Sequence, residues 1–131
     1  MIARTGEDAS ESDLEVFAID ALKRLGVRLP TQQHPVQARG GRKRRVDLCY
    51  FIEKMAVEAL GYEYHRLRTK FDADAVRGNE LVRAGYYPMF VTSAMTDWEV
   101  AVLVAEAIGD AVPARPVREL TFSAWKTRRY S

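Results

Sequence analysis

Two acidic residues, Asp47 and Glu58, stand inside apolar runs of the chain. The runs RRVDLCYF and KMAVEALG alternate with period two on either side of Ile52-Glu53-Lys54, which predicts an antiparallel β-hairpin. Alternate residues of a strand share a face, so the two carboxylates can point the same way. A pair of carboxylates completed by water suits a hard octahedral cation, so the hairpin is a candidate magnesium site.

The same two carboxylates have a second explanation that needs no metal. A carboxylate inside an apolar strand is costly without a partner, and Arg44, Arg45 or Lys54 can supply one. Both carboxylates can also lie on a solvated face of the sheet. Structural ion pairs are commoner than metal sites, so the residue types alone leave these explanations open.

Basic residues cluster in two places, although the net charge of the chain is only +2. One cluster precedes the hairpin and the other lies near the C-terminus: Arg39, Arg42, Lys43, Arg44 and Arg45, and then Lys126, Arg128 and Arg129. Local patches of this kind can contact phosphates even when the field of the whole molecule is weak. Basic turns are also common on solvated surfaces, which is the alternative for both clusters.

Composition restricts the class of protein. The chain has 131 residues, of which 47% are hydrophobic and 29% charged, enough for the core of one domain. Its one cysteine, Cys49, cannot form an internal disulfide and fits a reducing compartment; we expect it in the core rather than as a nucleophile. The sequence has no N-terminal apolar region and no run that could span a bilayer, so we expect a cytoplasmic protein without membrane contact.

Other elements must position the hairpin, and the periodicities predict an α/β domain with the order α-β-β-β-α-β-α. The first helix begins with a capping box at Ser12 and Glu15 and ends at Gly26. The remaining elements are a strand at 32–39, the hairpin, a helix from 71 or 72 to 84, a strand at 86–92 parallel to its neighbour, and a helix capped by Thr96 and Glu99.

These elements divide the chain into a loose N-terminus at residues 1–11, a domain at 12–112 and a tail at 113–131. Phe122 and Trp125 are apolar anchors in the otherwise polar tail, which suits a partner surface or the cover of an exposed sheet edge. In the second helix, small and apolar residues are expected to face the sheet and charged residues, Arg77 included, to face outward.

Short motifs follow one another in order between Ser12 and Val112: Ser12 and Glu15; Gln33 and Val36; Arg45-Val46-Asp47-Leu48; Val57-Glu58-Ala59-Leu60-Gly61; His65; Phe71-Asp72-Ala73-Asp74-Ala75-Val76-Arg77-Gly78-Asn79-Glu80-Leu81; and Gly85-Tyr86. Their order and spacing resemble the PD-(D/E)XK endonuclease-like superfamily. The closest likeness is to small bacterial and phage proteins of uncharacterised function that are related to very-short-patch mismatch-repair endonucleases. Each motif alone is a weak signal.

The resemblance implies a restriction-endonuclease-like mixed β-sheet flanked by helices and a magnesium-dependent DNA endonuclease, with Mn²⁺ as an alternative ion. Asp47 and Glu58 would be the metal ligands, and Glu15 an additional carboxylate at the cleft. His65 would act as an acid, a base or a phosphate contact. The reaction would be phosphodiester hydrolysis by metal-bound water.

The partner implied by the resemblance is DNA, either double-stranded or nicked or mismatched. The basic turn before the hairpin and two arginines after it would contact that DNA: Arg42, Lys43, Arg44, Arg45, Arg68 and Arg77. A small nuclease domain that cuts both strands would favour a homodimer.

Two positions depart from the pattern of the superfamily. Leu60 stands where these nucleases place lysine, glutamine or an acidic residue, and Phe90 stands where relatives often carry arginine. Leucine can neither orient water nor ligate magnesium, although His65 could compensate. Two alternatives therefore remain beside the endonuclease: a non-catalytic DNA-binding or regulatory module on the same fold, and a protein-interaction domain that uses residues 117–131.

Overall fold

The protein is described here by a computed structural model that covers residues 11–37, 43–60 and 67–131. Within these residues, four helices and four strands occur in the order α-β-β-β-α-β-α-α. They are α1 (Glu11–Leu25), β1 (Thr31–Gln37), β2 (Lys43–Tyr50), β3 (Met55–Leu60), α2 (Leu67–Arg83), β4 (Tyr87–Thr92), α3 (Asp97–Ile108) and α4 (Phe122–Arg129). The predicted mixed α/β class is confirmed, with one helix more than expected. None of the described helices is long and apolar enough to cross a membrane.

The four strands form one sheet in the order β1-β2-β3-β4. The first three are antiparallel neighbours, and β4 runs parallel to β3, with Met55 opposite Tyr87. The hairpin and the parallel last strand are thus confirmed. β1 is an edge strand, which explains how it accommodates Pro35, a residue without an amide donor.

The two faces of the sheet are covered by different helices. Residues such as Leu48 and Val57 pack in a large core with side chains of α1, α3 and α4. Cys49 and Ala56 point the other way and pack with Leu81, near the end of α2. The sheet therefore separates a main core from a smaller layer beneath α2.

The capping residues predicted the start of α3 and the end of α1 correctly, but not the start of α1. The capping box of α3 is confirmed: the Thr96 side chain accepts a hydrogen bond from the Glu99 amide, and the Glu99 carboxylate accepts one from the Thr96 amide. Gly26 ends α1 with a positive φ of 75°, as expected. The helix begins at Glu11, however, so Ser12 lies one residue inside it.

The inward face of α2 differs from the expectation. Gly78 is buried against the sheet, as expected, but Val82, expected on the same face, is 59% exposed, and Leu81 is buried instead. Arg77, expected outside, is only partly exposed and faces β3. The helix has no strong apolar stripe, so composition alone could not identify the side that meets the sheet.

Residues 122–129, expected within a tail, form α4 and complete the main core. Phe122 and Trp125 are buried, and both rings lie 5.5 Å, centroid to centroid, from the Phe17 ring of α1. The indole N–H of Trp125 donates to Asp20, also on α1, over 2.9 Å. Both rings are buried in the core, so they are not available as the partner surface that the sequence suggested.

A buried aspartate fastens the segment before α4 to the start of α3. Asp97 is 1% exposed and pairs with Arg24 of α1. Its carboxylate accepts a 2.7 Å hydrogen bond from the Leu120 amide, and its own amide donates to the Leu120 carbonyl over 2.9 Å. One side chain therefore joins α1, α3 and the chain that leads into α4.

We expect Phe122→Ala to lower the free energy of unfolding by about 3–5 kcal/mol, because it empties a fully buried aromatic site between α1 and α4. The matched control is Val117→Ala in the same segment, where the side chain is fully exposed and the change should be within about 0.5 kcal/mol. Urea denaturation followed by circular dichroism measures both. Equal, small effects would mean that α4 is not part of the core.

Candidate functional site

The predicted site lies at one end of the sheet, where several elements begin or end together. Antiparallel pairing places the start of β2 beside the end of β3, and β4 ends there too because it is parallel to β3. α2 begins seven residues after Leu60, the last residue of β3. This end of the sheet, called the β3 end below, therefore gathers the N-termini of β2 and α2.

Glu58 is the buried acidic group of this region. It stands between Val57 and Ala59, which point into the main core, so its side chain points to the face covered by α2. Its carboxylate is 3% exposed, and its Oε1 lies 3.2 Å from Nε of Arg77, whose side chain is 28% exposed. A guanidinium thus faces the carboxylate in the position where a metal-binding glutamate would present its oxygen to an ion.

Packing around this ion pair is apolar on the β4 side. Phe90 is opposite Glu58 in the β3–β4 register. A Cβ added at Gly78 would lie 3.5 Å from Cζ of Phe90, at ordinary van der Waals distance, so the Phe90 ring lies close beneath α2 at this position. The strand thus supplies a phenyl ring next to Glu58, and the positive charge comes from the helix.

Asp47 lies just beyond the described β2–β3 ladder. The β2–β3 ladder pairs Tyr50 with Met55, Cys49 with Ala56 and Leu48 with Val57. The described ladder ends at this last pair, and Asp47 and Glu58 are the next residues of the two strands. Asp47 is partly exposed, unlike Glu58. The two acidic residues therefore lie next to the last described pair of the hairpin, and a shared metal site stays a prediction.

The residue two positions after Glu58 contributes no polar group. Leu60 is the last residue of β3 and is partly buried. Alternation along the strand puts it on the same face as Glu58. The site consequently lacks, at this position, any side chain that could orient water or bind a cation.

The other predicted site residues are distributed as follows. Glu15 lies on α1, which packs on the face of the sheet opposite α2. Arg42 and His65 lie outside the described residues. Three basic residues open β2 and one lies in the first turn of α2, and for these only the backbone is described: Lys43, Arg44, Arg45 and Arg68.

Among the described side chains, no group of three or more histidine, cysteine, aspartate or glutamate residues could hold a metal ion. Cys49 is a free, fully buried thiol, and burial raises its pKa above the ordinary value. A thiol of this kind is part of the packing, not a nucleophile.

The residue that faces Glu58 was not among the counter-ions predicted from the sequence. The candidate counter-ions were Arg44, Arg45 and Lys54, all close in sequence, whereas Arg77 is 19 positions away on the next helix. The sequence contained one indication that Arg77 faces the sheet. It lies four residues before Leu81, which is buried, and residues four apart share one face of a helix.

No protein-family model, no curated protein and no solved structure matches this chain. The likeness to PD-(D/E)XK endonucleases therefore stays a prediction from the sequence motifs.

We expect Arg77→Met to lower the free energy of unfolding by roughly 2 to 4 kcal/mol, below the range for a fully buried pair because Arg77 is partly exposed. Methionine keeps much of the alkyl stem but removes the charge that faces Glu58. The deficit should shrink between neutral pH and about pH 4, because the folded variant gains more than the unfolded chain from protonating the buried carboxyl.

The matched control is Arg83→Met, an exposed position near the end of the same helix, which should change stability little at any pH. Chemical denaturation across the pH range measures both variants. A pH-independent loss for Arg77→Met would show that packing, not the ion pair, is responsible.

Proposed function

We propose that this chain binds DNA with the β3 end of its sheet, as a non-catalytic DNA-binding or regulatory module with the architecture of a PD-(D/E)XK endonuclease. The Glu58–Arg77 ion pair favours a non-catalytic module over an endonuclease, because the carboxylate expected to hold a metal faces a guanidinium. The family assignment itself comes from the sequence motifs.

The DNA-binding part of the proposal rests on where basic segments occur in the fold. β2 opens with Lys43-Arg44-Arg45, and α2 opens with Leu67-Arg68, both at the β3 end. The net charge of +2 gives little long-range attraction, so binding would depend on such local contacts with phosphates. The N-terminus of α2 adds a partial positive charge at the same end.

The absence of catalysis in this proposal has two supports. Leu60 removes the residue that would orient water, and Arg77 supplies the positive charge that Glu58 requires. A metal ion would have to displace a guanidinium that is already in contact with a buried carboxylate. Strong magnesium binding is therefore not expected in the unmodified protein.

A metal-dependent DNA endonuclease is the second candidate, and it is favoured by the position of Asp47 and Glu58, each one residue beyond the last described β2–β3 pair. The two carboxylates would hold Mg²⁺ or Mn²⁺, an ion that would lower the pKa of bound water and neutralise charge at the phosphate. Arg77 would then have to leave Glu58 and could contact the DNA strand. His65 and Glu15 keep their predicted roles in this alternative.

The proposed partner is a DNA duplex, intact or nicked or mismatched. A homodimer is expected only if both strands are cut. The single free cysteine fits the cytoplasm. A protein partner at residues 117–131 would have to use surfaces other than the buried Phe122 and Trp125.

We expect the protein to bind a labelled duplex at low salt with an affinity that falls as salt rises and does not change when EDTA is added. Lys43→Ala/Arg45→Ala should reduce the slope of log affinity against log salt by up to about two, because two phosphate contacts are lost. The control is Lys23→Ala, because Lys23 is exposed and lies far from the proposed surface. It is in the last turn of α1, which leads to the start of β1 at the opposite end of the sheet. Fluorescence anisotropy measures all three proteins, and absence of binding at low salt would remove the proposal.

The endonuclease alternative makes a different prediction for plasmid nicking. If it holds, purified protein nicks supercoiled plasmid with Mg²⁺ or Mn²⁺, and Asp47→Ala lowers the rate by at least about a hundredfold, because the ion loses one of its two carboxylates. Under the primary proposal neither protein nicks, although both bind the plasmid. Nicking that survives Asp47→Ala would identify a contaminating nuclease.

A further inference from the structure

A cavity of about 530 Å³ opens at the end of the sheet opposite the β3 end. It is formed by the first residues of β3 and β4, by the β2–β3 turn, and by the last two turns of α3. The volume lies within the range of pockets that hold small organic ligands. No residue of the Glu58–Arg77 site lines it.

The floor of this cavity is apolar and adaptable. Met55 and Met89 come from β3 and β4, and Leu103 and Ala107 come from α3. Methionine side chains adjust to differently shaped apolar groups, including aromatic rings. The cavity can therefore accommodate apolar groups of different shapes, either flat or branched.

The rim of the cavity is acidic. Glu106 is exposed in the last turn of α3, where the helix dipole adds partial negative charge, and Glu53 lies in the β2–β3 turn. Arg28 hydrogen-bonds both Glu53 and Asp110, so one guanidinium is shared between two carboxylates. That contact lowers the pKa of Glu53, which is therefore ionised at neutral pH. Glu106 and Glu53 are the charged residues that line the cavity, and Arg28 neutralises part of that charge at Glu53.

The adjoining strand edge argues against an added peptide strand as the occupant. The Tyr87 amide donates to the Lys54 carbonyl over 2.7 Å, so the peptide groups of Tyr87 point toward β3. The next residue, Pro88, therefore points outward and has no amide donor. This edge is poorly suited to pairing, and the cavity beside it favours a compact ligand.

We propose that this cavity binds a small organic cation that carries an ammonium group on an apolar or aromatic body. The body lies on Met55, Met89 and Leu103, and the ammonium lies at the rim near Glu106 and Glu53. Tyr87, 64% exposed at the mouth, adds an aromatic face of the kind that attracts cations. The site is separate from the proposed DNA surface, and its occupancy does not depend on DNA.

Three probes of similar shape test the proposal: tryptamine, a cation, tryptophol, its neutral alcohol, and indoleacetate, an anion. Titrations followed by amide NMR should show tryptamine shifting residues of β4 and the end of α3, with tryptophol about two- to fivefold weaker. Indoleacetate should bind most weakly of the three. Equal affinities for the three probes, shifts elsewhere, or no shifts with tryptamine would each overturn the proposal.

Two variants separate the charge from the cavity. Glu106→Gln should weaken tryptamine about two- to fivefold and leave tryptophol unchanged, whereas Ala107→Phe should block both by filling the cavity. The control Asp72→Asn removes one exposed carboxylate from α2, on the other face of the sheet, and should change neither probe. If Ala107→Phe does not fold, Glu106→Gln alone decides, and an unchanged tryptamine affinity in that variant contradicts the proposal.

Discussion

Glu58 must face a positive charge, because its carboxylate is buried between the central strands and α2. Arg77 supplies that charge, and the ion pair consequently links the middle of the sheet to the helix that covers it. The same pair determines which chemistry is available, since a carboxylate in contact with a guanidinium competes poorly for a divalent ion. Structure and proposed function thus depend on one interaction.

The two ends of the sheet differ in character. At the β3 end, basic segments open β2 and α2, and the buried ion pair lies just inside. At the other end, the cavity between β4 and α3 combines methionines with an acidic rim. Strand β3 connects the two regions, and the main core, completed by Phe122 and Trp125 of α4, packs on the face of the sheet opposite α2.

Local patterns predicted the features that local physics determines. Period-two alternation gave the hairpin, and the Thr96–Glu99 box gave the start of α3, because both depend on residues close in sequence. Asp47 and Glu58 each lie one residue beyond Leu48–Val57, the last described pair of the hairpin, and their pairing stays a prediction. The helix α4 was missed because its buried stripe is only Phe122 and Trp125, too short to show periodicity. Arg77 was missed because its contact with Glu58 exists only after α2 has packed on the sheet.

Manganese-induced broadening of backbone amide signals tests whether Arg77 keeps divalent ions away from Glu58, because Mn²⁺ broadens only residues near its binding site. We expect the β2 and β3 signals around Asp47 and Glu58 to stay sharp in the unmodified protein. They should broaden selectively in Arg77→Met, where the carboxylates need another counter-ion, and not in Glu58→Gln/Arg77→Met. Selective broadening in the unmodified protein would show that an ion occupies the carboxylates despite Arg77, and the proposed role of the ion pair would then be wrong.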